Sequence, residues 1–327
     1  MMKPNNKIIA ILKTTIVLLV AVFLLSCDEE FIVEMDNTTN MIVVNSFFNS
    51  TDKLSVTVTK SMPPQKNKNV VELENAKVLL YKNDNFVEEL TYLKTSEDTV
   101  GRFISGTIPV AGATYRIEAE TPEEDIRQKV TTQSVLPEKV EIVSDTALWL
   151  KWITEEDTAF VIRFYFEITF NDPPADNYYY ITAAAPVYEL DTINNTREFF
   201  CWEYAEILTG ELPGNELYIN NALLFKDATF NSTAKKITGT ATMHSSPDGY
   251  HYNLDEKKKY FTDKSKLHIE LHSLSKEAYN FCSSYAKKIK LSDDVYSEPV
   301  VIYSNVKNGL GIFAGENIFT KDIPVKY

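Results

Sequence analysis

The sequence predicts a mainly β protein: an N-terminal immunoglobulin-like or transthyretin-like β-sandwich, then a second β-rich domain with one packed α-helix. Three observations carry this expectation. Segments such as Leu54-Ser55-Val56-Thr57-Val58-Thr59 alternate with period two, as half-buried strands do. Tyr and Phe number 18 each while Gly numbers only 10, a balance suited to twisted sheets with large packed side chains. One stretch alone, Ser275 to Lys290, repeats its apolar residues at helical spacing.

The chain opens with a leader. Lys3, Lys7 and Lys13 precede an apolar run from Ile16 to Leu25, and Ser26 then sits before Cys27. A basic end, a short apolar core and a small residue at the cut are the layout of a secretory signal peptide, residues 1–26. A spanning helix is the rival reading, but Lys13 divides the apolar stretch and such a helix needs roughly twenty apolar residues. Leu24-Leu25-Ser26-Cys27 resembles the lipobox of bacterial lipoproteins. That resemblance implies a diacylglyceryl thioether on Cys27, cleavage before it and acylation of the new amino group. Each buried methylene contributes about 0.8 kcal/mol, so several long chains would anchor the protein without spanning the bilayer. Residues 27–40 then read as an acidic tether. Its Asp28-Glu29-Glu30 is either a solvated acidic patch or, by resemblance, the surface-export signal of Bacteroidota lipoproteins.

Residues 41–137 read as the sandwich. Met41–Phe48 and Leu54–Thr59 come first. Ala76–Tyr81 and Phe86–Tyr92 follow, joined across Asn83-Asp84, residues that tolerate the positive φ of a tight hairpin. Arg102–Ser105, Thr114–Glu120 and Lys129–Val135 complete it, and Leu136-Pro137-Glu138 marks a boundary. Residues 138–327 read as the second domain. Phe160–Phe170 and Tyr178–Glu189 look like a long hairpin broken by the turn Asn171-Asp172-Pro173-Pro174-Ala175-Asp176. Glu198–Ile207, Ala222–Phe230, Lys236–His244 and Leu267–Leu271 are further strands. In the helix near 275–290, Ala278, Phe281, Cys282, Tyr285 and Ile289 form the stripe, Ser275 caps the start, and Lys287, Lys288 and Lys290 suit the negative end of the dipole. Pro299–Ile323 reads as strands around Asn308-Gly309.

Composition excludes one class of partner. The formal charge is −13, and losing residues 1–26 with three lysines and no acid makes it −16. Such a surface repels nucleic acid. Once Cys27 is acylated, Cys201 and Cys282 remain. An even number in an oxidising compartment permits a disulfide, closing a loop of about eighty residues worth roughly 3–5 kcal/mol; two buried free thiols are the alternative.

Several separated segments carry a family resemblance: Met41-Ile42-Val43-Val44-Asn45, Leu54 to Ser61, Glu74-Asn75-Ala76-Lys77-Val78, Pro109 to Ile117, Asn171-Asp172-Pro173-Pro174 with Asn177-Tyr178-Tyr179, and Ser304 to Phe313. In this order behind a lipobox they resemble the Bacteroidota outer-membrane lipoproteins catalogued as domain of unknown function 4249. The resemblance implies a cell-envelope lipoprotein, often encoded beside a TonB-dependent receptor, and brings no catalytic residues.

Chemistry is sparse. His268-Ile269-Glu270-Leu271-His272 on a strand would project two imidazoles and a carboxylate from one face, a metal-like trio. The simpler reading puts Leu267, Ile269 and Leu271 in the core and the polar trio in solvent. No serine elbow, phosphate loop or dinucleotide fingerprint is present. Ser292-Asp293-Asp294 is too short for a calcium loop. Tyr178-Tyr179-Tyr180 and Phe199, Phe200, Trp202 and Tyr204 should alternate between core and surface; core packing and strand propensity explain most of them, and a platform for sugar or partner contact is the alternative. The expectation is a surface-facing, lipid-anchored, non-enzymatic protein of the outer membrane, with no cofactor. It assists a TonB-dependent transporter by capturing or covering its ligand, or else serves a structural or adhesive role.

Overall fold

The structure is a computed structural model that describes residues 41–62, 70–122, 129–155, 159–191, 196–209, 216–228, 230–245, 252–253, 258–262, 265–291 and 300–326. The fold is mainly β, with one helix among the described residues. The first strands are β1 (Ile42–Phe48), β2 (Ser55–Lys60), β3 (Val71–Glu72), β4 (Lys77–Lys82), β5 (Asn85–Glu89), β6 (Thr91–Leu93), β7 (Arg102–Ile104), β8 (Thr114–Glu120) and β9 (Lys129–Val135). The sheet β5-β4-β8-β9 faces β1, β2 and β7 across a core that includes Ile42, Val44, Val56, Leu80, Tyr115 and Ile117. The β4–β5 hairpin forms as its sequence requires. Lys82 pairs with Asn85, and Asn83 and Asp84 take φ of 48° and 64°.

The next strands are β10 (Ile142–Glu155), β11 (Ala159–Asn171), β12 (Tyr178–Asp191), β13 (Thr196–Tyr204), β14 (Glu206–Leu208), β15 (Leu217–Ile219), β16 (Ala222–Lys226), β17 (Ala234–Ser245), β18 (Tyr252–Asn253), β19 (Lys258–Thr262) and β20 (Lys266–Leu274). Helix α1 (Lys276–Leu291) and the seventeen-residue β21 (Leu310–Lys326) complete the chain. Strand β10 is not among the strands expected from the sequence, yet it pairs with β11 along almost its whole length.

One expectation fails instructively. β11 and β12 are not a hairpin: β11 pairs with β10 and β17, and β12 with β13, β16, β19 and β20. The chain turns a corner between two opposed sheets instead. Prolines 173 and 174 remove two backbone donors where pairing must stop. The Asp172 carboxylate accepts from the Tyr179 hydroxyl at 2.5 Å and from the Ser232 amide at 2.8 Å. Phe164, Phe166, Ile168 and Phe170 on β11 then meet Tyr179, Ile181, Ala183 and Ala185 on β12, forming the second core. Each buried Phe contributes about 1.5–3 kcal/mol.

Strand β21 links both halves. It runs parallel to β1 from Leu310 to Gly315, antiparallel to β20 from Glu316 to Pro324, and parallel to β10 at Val325 and Lys326. At about 3.3 Å per residue it spans roughly 55 Å. Leu136 is buried in the first core and Val140 in the second, so the chain passes between them at Pro137. In the turn before β21 the left-handed residue is Asn308, at φ 60°, rather than Gly309. Gly309 is needed for closeness, since a Cβ there would lie 2.6 Å from the Ile42 carbonyl oxygen.

Helix α1 starts where its cap predicts, the Ser275 hydroxyl accepting from the Ala278 amide at 3.2 Å. Its apolar stripe is only half used. Ala278 and Ala286 are buried and Cys282 is half-buried, whereas Tyr285 and Ile289 are exposed. The small residues, four apart, let the helix approach the sheet closely.

Candidate functional site

The outer face of the β12–β20–β21 sheet holds the densest polar cluster. On β20, Leu267, Ile269 and Leu271 are fully buried, so His268, Glu270 and His272 project together from the opposite face. Antiparallel pairing sets Ala184, Thr182 and Tyr180 beside them on one flank and Asp322, Thr320 and Ile318 on the other. The trio is largely buried rather than solvent-facing, with side-chain exposures of 13 %, 20 % and 10 %.

These groups form a ladder of alternating acid and base. Asp322 lies 2.6 Å from His268 Nδ1, and Glu270 Oε1 lies 3.6 Å from His268 Nε2. Glu270 Oε2 is 3.4 Å from His272 Nε2, and Glu316 is 3.4 Å from His272 Nδ1. The Thr182 hydroxyl also donates to Glu270, at 2.8 Å. Hydrogen bonds from both imidazoles hold the Glu270 carboxyl far below the usual carboxylate range, outweighing its burial. Burial pulls both histidines down, but hydrogen bonds to Glu270, joined by Asp322 at His268 and Glu316 at His272, win and raise them. Asp322 is lowered, since hydrogen bonds from Lys266 and His268 overcome its burial.

The ladder does not make one metal centre. Four residues on a strand separate the His268 and His272 backbones by about 13 Å, and each ring nitrogen already faces a carboxylate. No group of three ligands among the described residues is placed to hold an ion.

Nor is the candidate disulfide formed. Cys201 and Cys282 are free, Cys201 exposed and Cys282 half-buried. Cys201 sits opposite Val187 on β12, whereas Cys282 packs with Tyr180 under the helix. Val187 and Tyr180 are seven residues apart on the same strand, about 23 Å, while a bridge needs Cα atoms within about 7 Å. Burial pushes the Cys282 thiol up to about 11, aided by nearby Glu316.

The aromatic residues divide in an unexpected way. Tyr179 is fully buried, and Tyr178 and Tyr180 pack under the helix, as alternation predicts. On β13 the expectation fails, because none of Phe199, Phe200, Trp202 and Tyr204 is buried. Phe199 is 53 % exposed and Tyr204 46 %. A bulge explains the arrangement: Tyr188 pairs with Phe199 and Val187 with Cys201, which leaves Phe200 as an extra residue. Simple alternation would put Phe199 and Trp202 on opposite faces; the bulge turns both to the ladder side. Their ring centroids are 5.3 Å apart, and Trp202 stacks on His268 at 4.2 Å and 23°. Sequence alone carries no mark of a bulge at Phe199-Phe200.

Cys27 and Asp28-Glu29-Glu30 lie outside the described residues, as does Ser292-Asp293-Asp294. No helix among the described residues is long and apolar enough to cross a membrane. The model of the family described as domain of unknown function (DUF4249) matches residues 28–322. The chain belongs to this family. The DUF4249 match begins at the residue after Cys27 and takes in the ladder, β13, the first core and all of the second but Ile323 and Val325. No curated protein matches the chain.

Proposed function

We propose that the chain is a Bacteroidota lipoprotein, anchored to the outer membrane through Cys27 and facing the cell surface. There it acts without catalysis as an accessory to a TonB-dependent transporter, capturing or covering that transporter's ligand. The observation that carries this reading is Leu24-Leu25-Ser26-Cys27 at the end of a basic, apolar leader. The acids that follow Cys27 and the resemblance to envelope lipoproteins support it. The exposed aromatic residues of β13 supply a contact surface of the kind a binding protein uses.

Purification of the protein from its own membranes in mild detergent tests the role. A TonB-dependent receptor is expected to come with it repeatedly and in constant ratio. Recovery of the protein with no outer-membrane receptor would contradict the reading.

A further inference from the structure

The face shared by β13, β12 and β20 has three properties that together select a ligand. It presents rings: Phe199 and Tyr204 are each about half exposed, with Trp202 between them, fixed on His268. Trp202 is held against His268 and Phe199 against Trp202, which lowers the side-chain entropy lost on binding. Beside them lie two carboxylates that accept hydrogen bonds, Asp322 with its side chain 46 % exposed and Glu270 at 20 %. The bulge that aims Phe199 at this face is a device found where a strand must redirect a side chain for function.

Charge narrows the choice. The carboxylates of Glu270, Asp322 and Glu316 on one face disfavour an anion. A cation would be repelled by the protein's own cations, which stand on the same face. Arg197 lies 3.9 Å over the Tyr188 ring, and Lys266 lies 5.8 Å from the Trp202 ring. A neutral ligand remains, apolar on one side to lie on the rings and rich in hydroxyls to meet the carboxylates. A pyranose has this make-up, with C–H groups on its faces and hydroxyls around its edge.

We propose that the outer face around Phe199, Trp202 and Tyr204 is a binding site for a neutral oligosaccharide. The proposal deepens the reading of the chain as a binding protein by naming the ligand class. Binding requires no bond to be made or broken.

The test uses the full chain in detergent and isothermal calorimetry with cellohexaose, maltoheptaose and mannohexaose. At least one is expected to bind saturably. Phe199→Ala and Tyr204→Ala should each weaken that binding about tenfold, because stacked rings contribute beyond their buried area. Phe86→Ala is the control: that ring, 59 % exposed on β5, should leave binding unchanged. Since Phe199, Tyr204 and Phe86 are all surface residues, unchanged thermal midpoints are expected to show that the variants fold.

Absence of saturable binding to all three sugars by the folded chain would overturn the proposal. So would equal weakening by Phe86→Ala, or a preference for spermine that depends on Phe199 and Tyr204. The measurement involves neither receptor nor membrane. Loss of sugar binding with receptor co-purification intact would therefore sink this inference and leave the accessory role standing.

Discussion

Replacing Gly311 with alanine is expected to destabilise the protein by about 3 kcal/mol or more, and to cut the yield of folded chain sharply. Gly311 has φ +110°, a region L side chains rarely enter, and a Cβ there would lie 2.1 Å from the Val44 carbonyl oxygen and 2.8 Å from Asn45 Oδ1. The position cannot relax easily, because Gly311 pairs with Val44 where β21 joins β1, and the Ile312 amide next to it donates to Asn45 Oδ1 at 3.2 Å. Moving either strand would disturb Val44 and Phe313, both fully buried. Gly106→Ala is the comparison: its Cβ would meet only the end of the Glu88 side chain, at 3.3 Å, and the cost should stay within about 1 kcal/mol. Urea unfolding of both variants checks this. Near-native stability in Gly311→Ala would mean that the β1–β21 junction is looser than described.

The second large effect is at Glu270, whose replacement by alanine should cost about 2–4 kcal/mol, most of it in a limited pH window. Its carboxylate is shared by His268, His272 and Thr182, so removal leaves two largely buried imidazoles without their common partner. Glu270 titrates below its ordinary 4.5, so its stabilisation is present above 4.5 and is lost as pH falls toward the depressed value. The histidines titrate above their ordinary 6.5, so their stabilisation is complete below 6.5 and is lost as pH rises through the elevated values. The ladder therefore contributes most between about 4.5 and 6.5. The other groups facing it, Asp322, Glu316 and Lys266 with Tyr180 and Cys282, remain in the variant. The stability difference between wild type and Glu270→Ala, measured by denaturation at several pH values, should peak inside that window. A difference independent of pH would show that the ladder is packing rather than charge.

Local features of the fold were legible in the sequence. The Asn83-Asp84 hairpin, the alternation of β2 and the Ser275 cap each depend on a few adjacent residues, and each forms as read. What was not legible depends on distant partners. Asn171 to Asp176 looks like a hairpin loop, and only the presence of β10 and β17 beside β11, and of β20 beside β12, makes it a corner. The seventeen residues of β21 form one strand because three different partners take successive parts of it. At the candidate site, the alternation of His268, Glu270 and His272 could be read, but not Asp322 or Glu316, which come from β21. The β13 bulge left no trace in residue spacing, so Phe199 and Trp202 could not be placed on one face.

Where the protein is held decides which partners it can meet, and the intact mass of material taken from the original cells' outer membrane measures that most directly. The prediction is a chain beginning at Cys27 and carrying a diacylglyceryl group on sulfur and an acyl group on nitrogen. A Cys27 thiol without modification, with residues 1–26 still attached, would contradict it.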